Sequence, residues 1–216
     1  MKSQKISLSA LIILTAVSTP FNPNSPAPLS IPAAFSQPLP SPSLPHGSEA
    51  CDVRSQSMSH TIEINDHVVI NQIAYSSQSP KHGDIIVFKP TQSIKENSLA
   101  SSLNDPLVRR VIGLPGETVK VVDGKVYIND QPLEENYLRE KPNYLFAPVK
   151  IPSNSYFVLG DNRNNSYDSH VWGFVPQELI IGQVVRTARR KNVLRKTQLI
   201  SDFVKQASNN TGCNLF

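Results

Sequence analysis

Short apolar runs broken by Gly, Pro, Asn and Asp fill the middle of the chain, which predicts strands joined by turns. Residues 61–74 carry Ile62, Ile64, Val68, Val69, Ile70 and Ile73. Residues 84–89 contain Ile85, Ile86, Val87 and Phe88. Residues 119–128 read as strand, Asp123-Gly124, strand. Asp-Gly between β-branched runs is a hairpin signal, because a type I′ turn needs positive φ at both central residues. Residues 156–159 and 179–185 supply two more strands. No long helical period interrupts them, so the expected fold is mostly β, an antiparallel folded or barrel-like sheet.

Both ends depart from this pattern. Lys2 and Lys5 precede an apolar run over residues 6–17, the arrangement of a secretory signal peptide, and Ala16 and Ser18 offer a small-x-small cleavage site. The run is short for a spanning helix, which needs ~20 residues, and a retained membrane anchor is the alternative. Both send the rest of the chain out of the cytoplasm. Nine of the eighteen prolines fall between Pro20 and Pro45, so residues 19–50 read as an extended linker. Residues 193–207 fit a short helix, with a frayed polar end after it. The domain reading is therefore 1–18 signal or anchor, 19–50 linker, 51–190 globular domain and 191–216 basic and polar tail.

A net charge of +4 is too small and too scattered for a nucleic-acid binder. Arg186, Arg189, Arg190, Lys191, Arg195 and Lys196 form one denser run, read as a solvated end of the domain or as contact with an anionic membrane surface. Cys51 and Cys213 have no metal-ligand spacing, so no zinc site is expected. They stand as a disulfide of an exported protein or as two free thiols.

Three segments carry chemistry: Ser55-Gln56-Ser57-Met58, then Arg109 through Glu117 (RRVIGLPGE), then Gly160 through Val175 (GDNRNNSYDSHVWGFV). In this order they resemble the signature boxes of the bacterial-type signal peptidase I family, and the run HGDIIVF from His82 to Phe88 fits a fourth. The resemblance covers residues 54–189. It implies a signal-peptidase-like β core with a small inserted hairpin region over residues 119–152. It implies a serine endopeptidase, acting at the membrane on its extracytoplasmic side, that removes signal peptides from exported preproteins. No cofactor or metal is implied, and the oligomeric state is left open.

Residue by residue, the resemblance makes Ser57 the nucleophile and Ser55 a donor to the oxyanion hole. Ser166 holds the general base, and Asp161, Arg163 and Asp168 support the site. The base itself is a buried lysine in the family, yet that position holds Arg109, with Val111 to Gly116 pinning the register. A guanidinium of ordinary pKa is neutral in only about one part in 10⁴ to 10⁶ at pH 8, so Arg109 cannot simply replace an amine that must be neutral to accept a proton. Ser59-His60-Thr61, Asn65-Asp66, Gln72 and the histidine of Asp168-Ser169-His170 depart from the family pattern as well. Neither His60 nor His170 stands at the base position. The expected activity is weak or lost, and the alternative is a silent relative that binds exported segments or a membrane partner. Trp172 is expected to pack in the core, and Tyr144-Leu145-Phe146 reads as an exposed apolar tip or a packed loop.

Overall fold

A computed structural model describes residues 46–96, 105–188 and 213–216. The apolar segment 6–17, the proline-rich stretch up to residue 45 and most of the basic run after Ala188 lie outside them. No helix among the described residues is long and apolar enough to cross a membrane.

Twelve strands are described in chain order: β1 (Ser48–Val53), β2 (His67–Asn71), β3 (Ile85–Phe88), β4 (Leu107–Gly113), β5 (Thr118–Val122), β6 (Lys125–Ile128), β7 (Gln131–Pro132), β8 (Phe146–Lys150), β9 (Ser155–Leu159), β10 (Val175–Pro176), β11 (Ile180–Ala188) and β12 (Asn214–Leu215). Eight of them form one sheet in the order β10-β9-β4-β3-β11-β2-β1-β12. Every pairing in it is antiparallel except β1 with β12, which is parallel. The other four make a second sheet, β7-β6-β5-β8, which is the expected inserted hairpin region. Its tip has the expected geometry: Asp123 and Gly124 sit at φ 50° and 69°, the positive values a type I′ turn requires.

β4, an interior strand of this sheet, is buried at all seven positions. It pairs with β3 over Leu107–Arg110 and with β9 only from Arg110 onward. The start of β4 is thus free on one flank, and residue 216 fills that flank. Phe216 donates its N–H to the Pro106 carbonyl and accepts from the Val108 N–H, both at 2.9 Å. Through this segment the sheet curls back on itself, as the barrel-like expectation required.

Three apolar clusters fill the interior. Ile86, Phe88, Val158 and Trp172 lie in one, Cys51, Met58, Val108 and Leu215 in another, and Val119, Val126, Ile151 and Phe157 beneath the second sheet. Trp172 packs on Phe88 with ring centroids 5.9 Å apart, the core role expected of it. Phe146 packs on Phe157 and Tyr144 stacks on His170, which leaves Leu145 alone exposed at that tip, at 80%.

Several boundaries differ from the sequence reading. Residues 61–66 form a turn, with Asn65 at φ 66° and the Asp66 carboxylate accepting from the Glu63 N–H; only His67–Asn71 is strand. The strand β1 begins at Ser48, inside the stretch read as linker, because its partner β2 supplies a full antiparallel ladder. The last residues are not frayed: Leu215 is fully buried and Cys213 is disulfide-bonded to Cys51.

Candidate active site

Ser57 stands in a tight turn just after β1. The Ser59 N–H donates to the Gln56 carbonyl, and the Thr61 and Ile62 N–H groups donate to the Met58 carbonyl. Met58 is fully buried in the core, so an apolar anchor sits beside the serine and fixes the turn. Ser57 itself is buried. Ser55, two residues earlier, has its hydroxyl sealed from solvent with no hydrogen-bond partner.

A loop beginning at Gly160 clamps this turn. The Asn162 N–H donates to the Ser57 carbonyl at 3.0 Å, and the Asn162 side chain donates to the Gln56 carbonyl. The approach is closest at Gly160, where a Cβ would lie 2.2 Å from the Ser166 Oγ and 2.4 Å from the Ser57 carbonyl. Only glycine lets the two segments meet there. Ser57 and Ser166, 109 residues apart in the sequence, therefore flank one backbone position. The Ser166 hydroxyl is buried without a partner, like that of Ser55. Unpaired buried hydroxyls are costly in a folded chain, and the Ser55 and Ser166 hydroxyls are two of several such groups among the described residues.

The supporting residues are tied down by charge. Asp161 is buried and accepts two hydrogen bonds from the Arg110 guanidinium, at 2.8 and 2.6 Å, and one from the Thr61 hydroxyl at 2.5 Å. Arg110 also donates to the Gly83 carbonyl and lies over the Tyr137 ring. Arg163 is buried, donates to the Gly160 carbonyl and forms a two-pronged ion pair with Glu135. Asp168 caps the short helix α1 at Ser169–Trp172, accepts from the Gly160 N–H at 2.9 Å, and holds the His170 imidazole at 2.6 Å. The His170 ring is directed to Asp168 rather than to Ser57. His60 engages Glu63 through its backbone N–H.

Arg109 is 2% exposed. It donates from one terminal nitrogen to the Val108 and Phe216 carbonyls, at 2.7 and 3.1 Å, and from the other to the Tyr167 carbonyl at 2.9 Å. Its Nε is buried and unpaired. None of these bonds reaches Ser57. Burial pushes its pKa down to about 10, opposed by the nearby Asp168 carboxylate. At pH 8 that leaves about one guanidinium in a hundred neutral, far more than an exposed arginine and far fewer than a good base needs.

The sequence motifs thus converge: Ser55, Ser57, Ser166, Asp161, Arg163, Asp168 and Arg109 lie on the turn, the loop and the strand just described. The sequence reading missed Arg110, Glu135 and Thr61. Arg110 carried a signal, since adjacent residues of a strand face opposite ways and a second buried cation needs its own acid. Glu135 carried none, because it lies in the connection between β7 and β8, away from any of the motifs.

The sequence model for "Signal peptidase, peptidase S26" matches residues 47–188. The chain belongs to the signal peptidase S26 family. A signal peptidase I of Leptolyngbya laminosa is 53% identical over 63% of this chain and 66% of its own length. A probable signal peptidase I-2 of Synechocystis sp. is 48% identical over 62% of this chain and 60% of its own. The match therefore spans a little under two thirds of these relatives. A crystal structure of a signal peptidase I from Enterococcus faecalis V583 is 33% identical, covers 50% of this chain and 98% of that one, and superposes with a TM-score of 0.39. The S26 match takes in both sheets except for β12, so residues 213–216, which touch Arg109, lie beyond the family segment.

Proposed function

We propose that this chain is a membrane-associated serine endopeptidase that cuts signal peptides from exported preproteins on the extracytoplasmic side. The observation that carries this is the meeting of the Ser57 turn, the Gly160–Ser166 loop and β4 around one buried spot. Ser57 attacks the scissile carbonyl, and its hydroxyl proton passes to an acceptor as the acyl-enzyme forms. The Ser55 hydroxyl and a backbone N–H stabilise the tetrahedral oxyanion. Ser166, whose hydroxyl is unpaired, stands beside Ser57 as the group that would orient a base there. Asp161, Arg163 and Asp168 hold the loop rather than touch the substrate. Turnover is slow, because the base position carries a guanidinium that is mostly cationic and whose hydrogen bonds go to carbonyls.

Those same carbonyl bonds favour a second reading, a silent relative that binds exported segments without cutting them. Purified chain incubated with a preprotein, oxidised and reduced, separates the two. Slow cleavage that disappears in Ser57→Ala supports the peptidase. No cleavage by the parent in either state, with cleavage gained by Arg109→Lys, supports the silent relative.

A further inference from the structure

Residues 213–216 sit in a slot between two strands that lead directly to the candidate site. On one side is β1, which ends at Val53, four residues before Ser57. On the other is the start of β4, which carries Arg109. The segment is hydrogen-bonded to both. The Asp52 N–H donates to the Cys213 carbonyl at 3.1 Å, and the Arg54 N–H to the Leu215 carbonyl at 2.8 Å. Phe216 is paired through both its N–H and its carbonyl to Pro106 and Val108. Leu215 is fully buried against Cys51, Val53, Met58 and Val108. The segment runs parallel to β1 in the register Asp52–Asn214 and Val53–Leu215.

These contacts are mostly main-chain, and main-chain pairing accepts any extended peptide. A substrate strand arriving at Ser57 between β1 and β4 would need the N–H groups of Asp52, Arg54 and Val108, all of which the segment already occupies. Three further contacts fasten it. The Arg54 guanidinium donates to the Asn214 side-chain oxygen at 2.7 Å. Arg109 adds a charged donor to the Phe216 carbonyl, and the Cys51–Cys213 disulfide ties the segment covalently to β1.

We propose that residues 213–216 are a self-occupying strand that closes the peptide slot, and that the Cys51–Cys213 disulfide is the lock. This rests on the peptidase reading above and names the regulation of that site. While the disulfide is intact the segment cannot leave, whatever peptide competes. Release takes two electrons from a dithiol reductant. Its thiolate attacks one sulfur and breaks the Cys51–Cys213 bond, and its second thiol resolves the mixed disulfide. The dithiol is oxidised to its own disulfide, and two protons end on the cysteine thiols. Cys213, half-buried, is the accessible end, since Cys51 is fully buried. Once reduced, the segment is held by non-covalent contacts alone, its hydrogen bonds and the packing of Leu215 and Cys213, which a peptide making the same bonds can displace. Arginine at position 109 then has a second effect: it strengthens the closed state as well as weakening the base.

The test uses the full chain and a fluorescent peptide that ends at a small-x-small cleavage point, with affinity read by anisotropy. Dithiothreitol-reduced protein and Cys213→Ser are expected to bind at least tenfold more tightly than the oxidised parent. Hydrogen exchange at the Val108 and Arg54 amides is followed alongside, with a β3 amide as the check that the sheet stays folded. Exchange at Val108 and Arg54 that stays equally slow in oxidised, reduced and Cys213→Ser protein overturns the lock, as does equal affinity in all three. Faster exchange at those amides with no peptide bound in any state keeps the closing strand and overturns the peptidase reading instead.

Discussion

Replacing Arg109 with lysine raises Ser57-dependent cleavage by about fiftyfold at pH 8, measured on reduced protein so that the slot is open. The size follows from how much of each base is neutral. Burial leaves about one guanidinium in a hundred neutral at that pH. The same burial acting on an amine that starts ~2 units lower leaves about half of it neutral. A lysine also loses the bonds that arginine makes to the Tyr167 and Phe216 carbonyls, so its nitrogen is free to turn towards the unpaired Ser166 hydroxyl. The proton-transfer gain is expected in kcat, while loss of the bond to the Phe216 carbonyl loosens the closing strand and lowers KM. An unchanged rate in Arg109→Lys would mean that some other group takes the proton.

Asp161→Ala costs about 3–5 kcal/mol of stability, the usual result of removing one partner from a buried ion pair. Arg110 is nearly buried, with 11% of its side chain exposed, and both of its bonds to a carboxylate go to Asp161. Alanine leaves that cation with the Gly83 carbonyl and the face of Tyr137 alone, and removes the acceptor of the Thr61 hydroxyl. Thermal unfolding followed by circular dichroism should show a Tm lower by about 10 °C. A loss below about 1 kcal/mol would mean that water reaches Arg110 and that the pair is a surface contact in practice.

The site was legible where chemistry and local sequence coincide. Ser57 and Ser55 lie in one short motif, and the box from Gly160 to Val175 supplies Asp161, Arg163, Ser166 and Asp168 in one stretch. The hairpin at Asp123-Gly124 was legible because two adjacent positive φ values leave few residue choices. β4 was hidden for the opposite reason: Arg109 and Arg110 interrupt its apolar run, although both are buried and each finds partners on loops far away in sequence. β1 was hidden by the prolines before it, and β12 by its length of two residues. Both are strands only because of what they pair with, and a pairing 162 residues apart, like that of Cys51 with Cys213, leaves no periodic trace. The rescue expected of neither histidine has a structural counterpart: His170 is held by Asp168 and stacked on Tyr144.

The base position also changes in degree between sequence and structure. An arginine read as a bare residue is neutral to a negligible extent, whereas the buried Arg109 is shifted far enough to leave a small neutral fraction within reach of alkaline pH. On the peptidase reading, slow and pH-sensitive turnover is the expected result.

The pH–rate profile of the reduced parent, corrected by Ser57→Ala, tests this most directly. Arg109 accepts a proton only when neutral, and its pKa lies at about 10, so kcat should climb about tenfold per unit from pH 7 to 9 and level off near 10. A rate that is already flat above pH 7, with a midpoint in the histidine range, would contradict it.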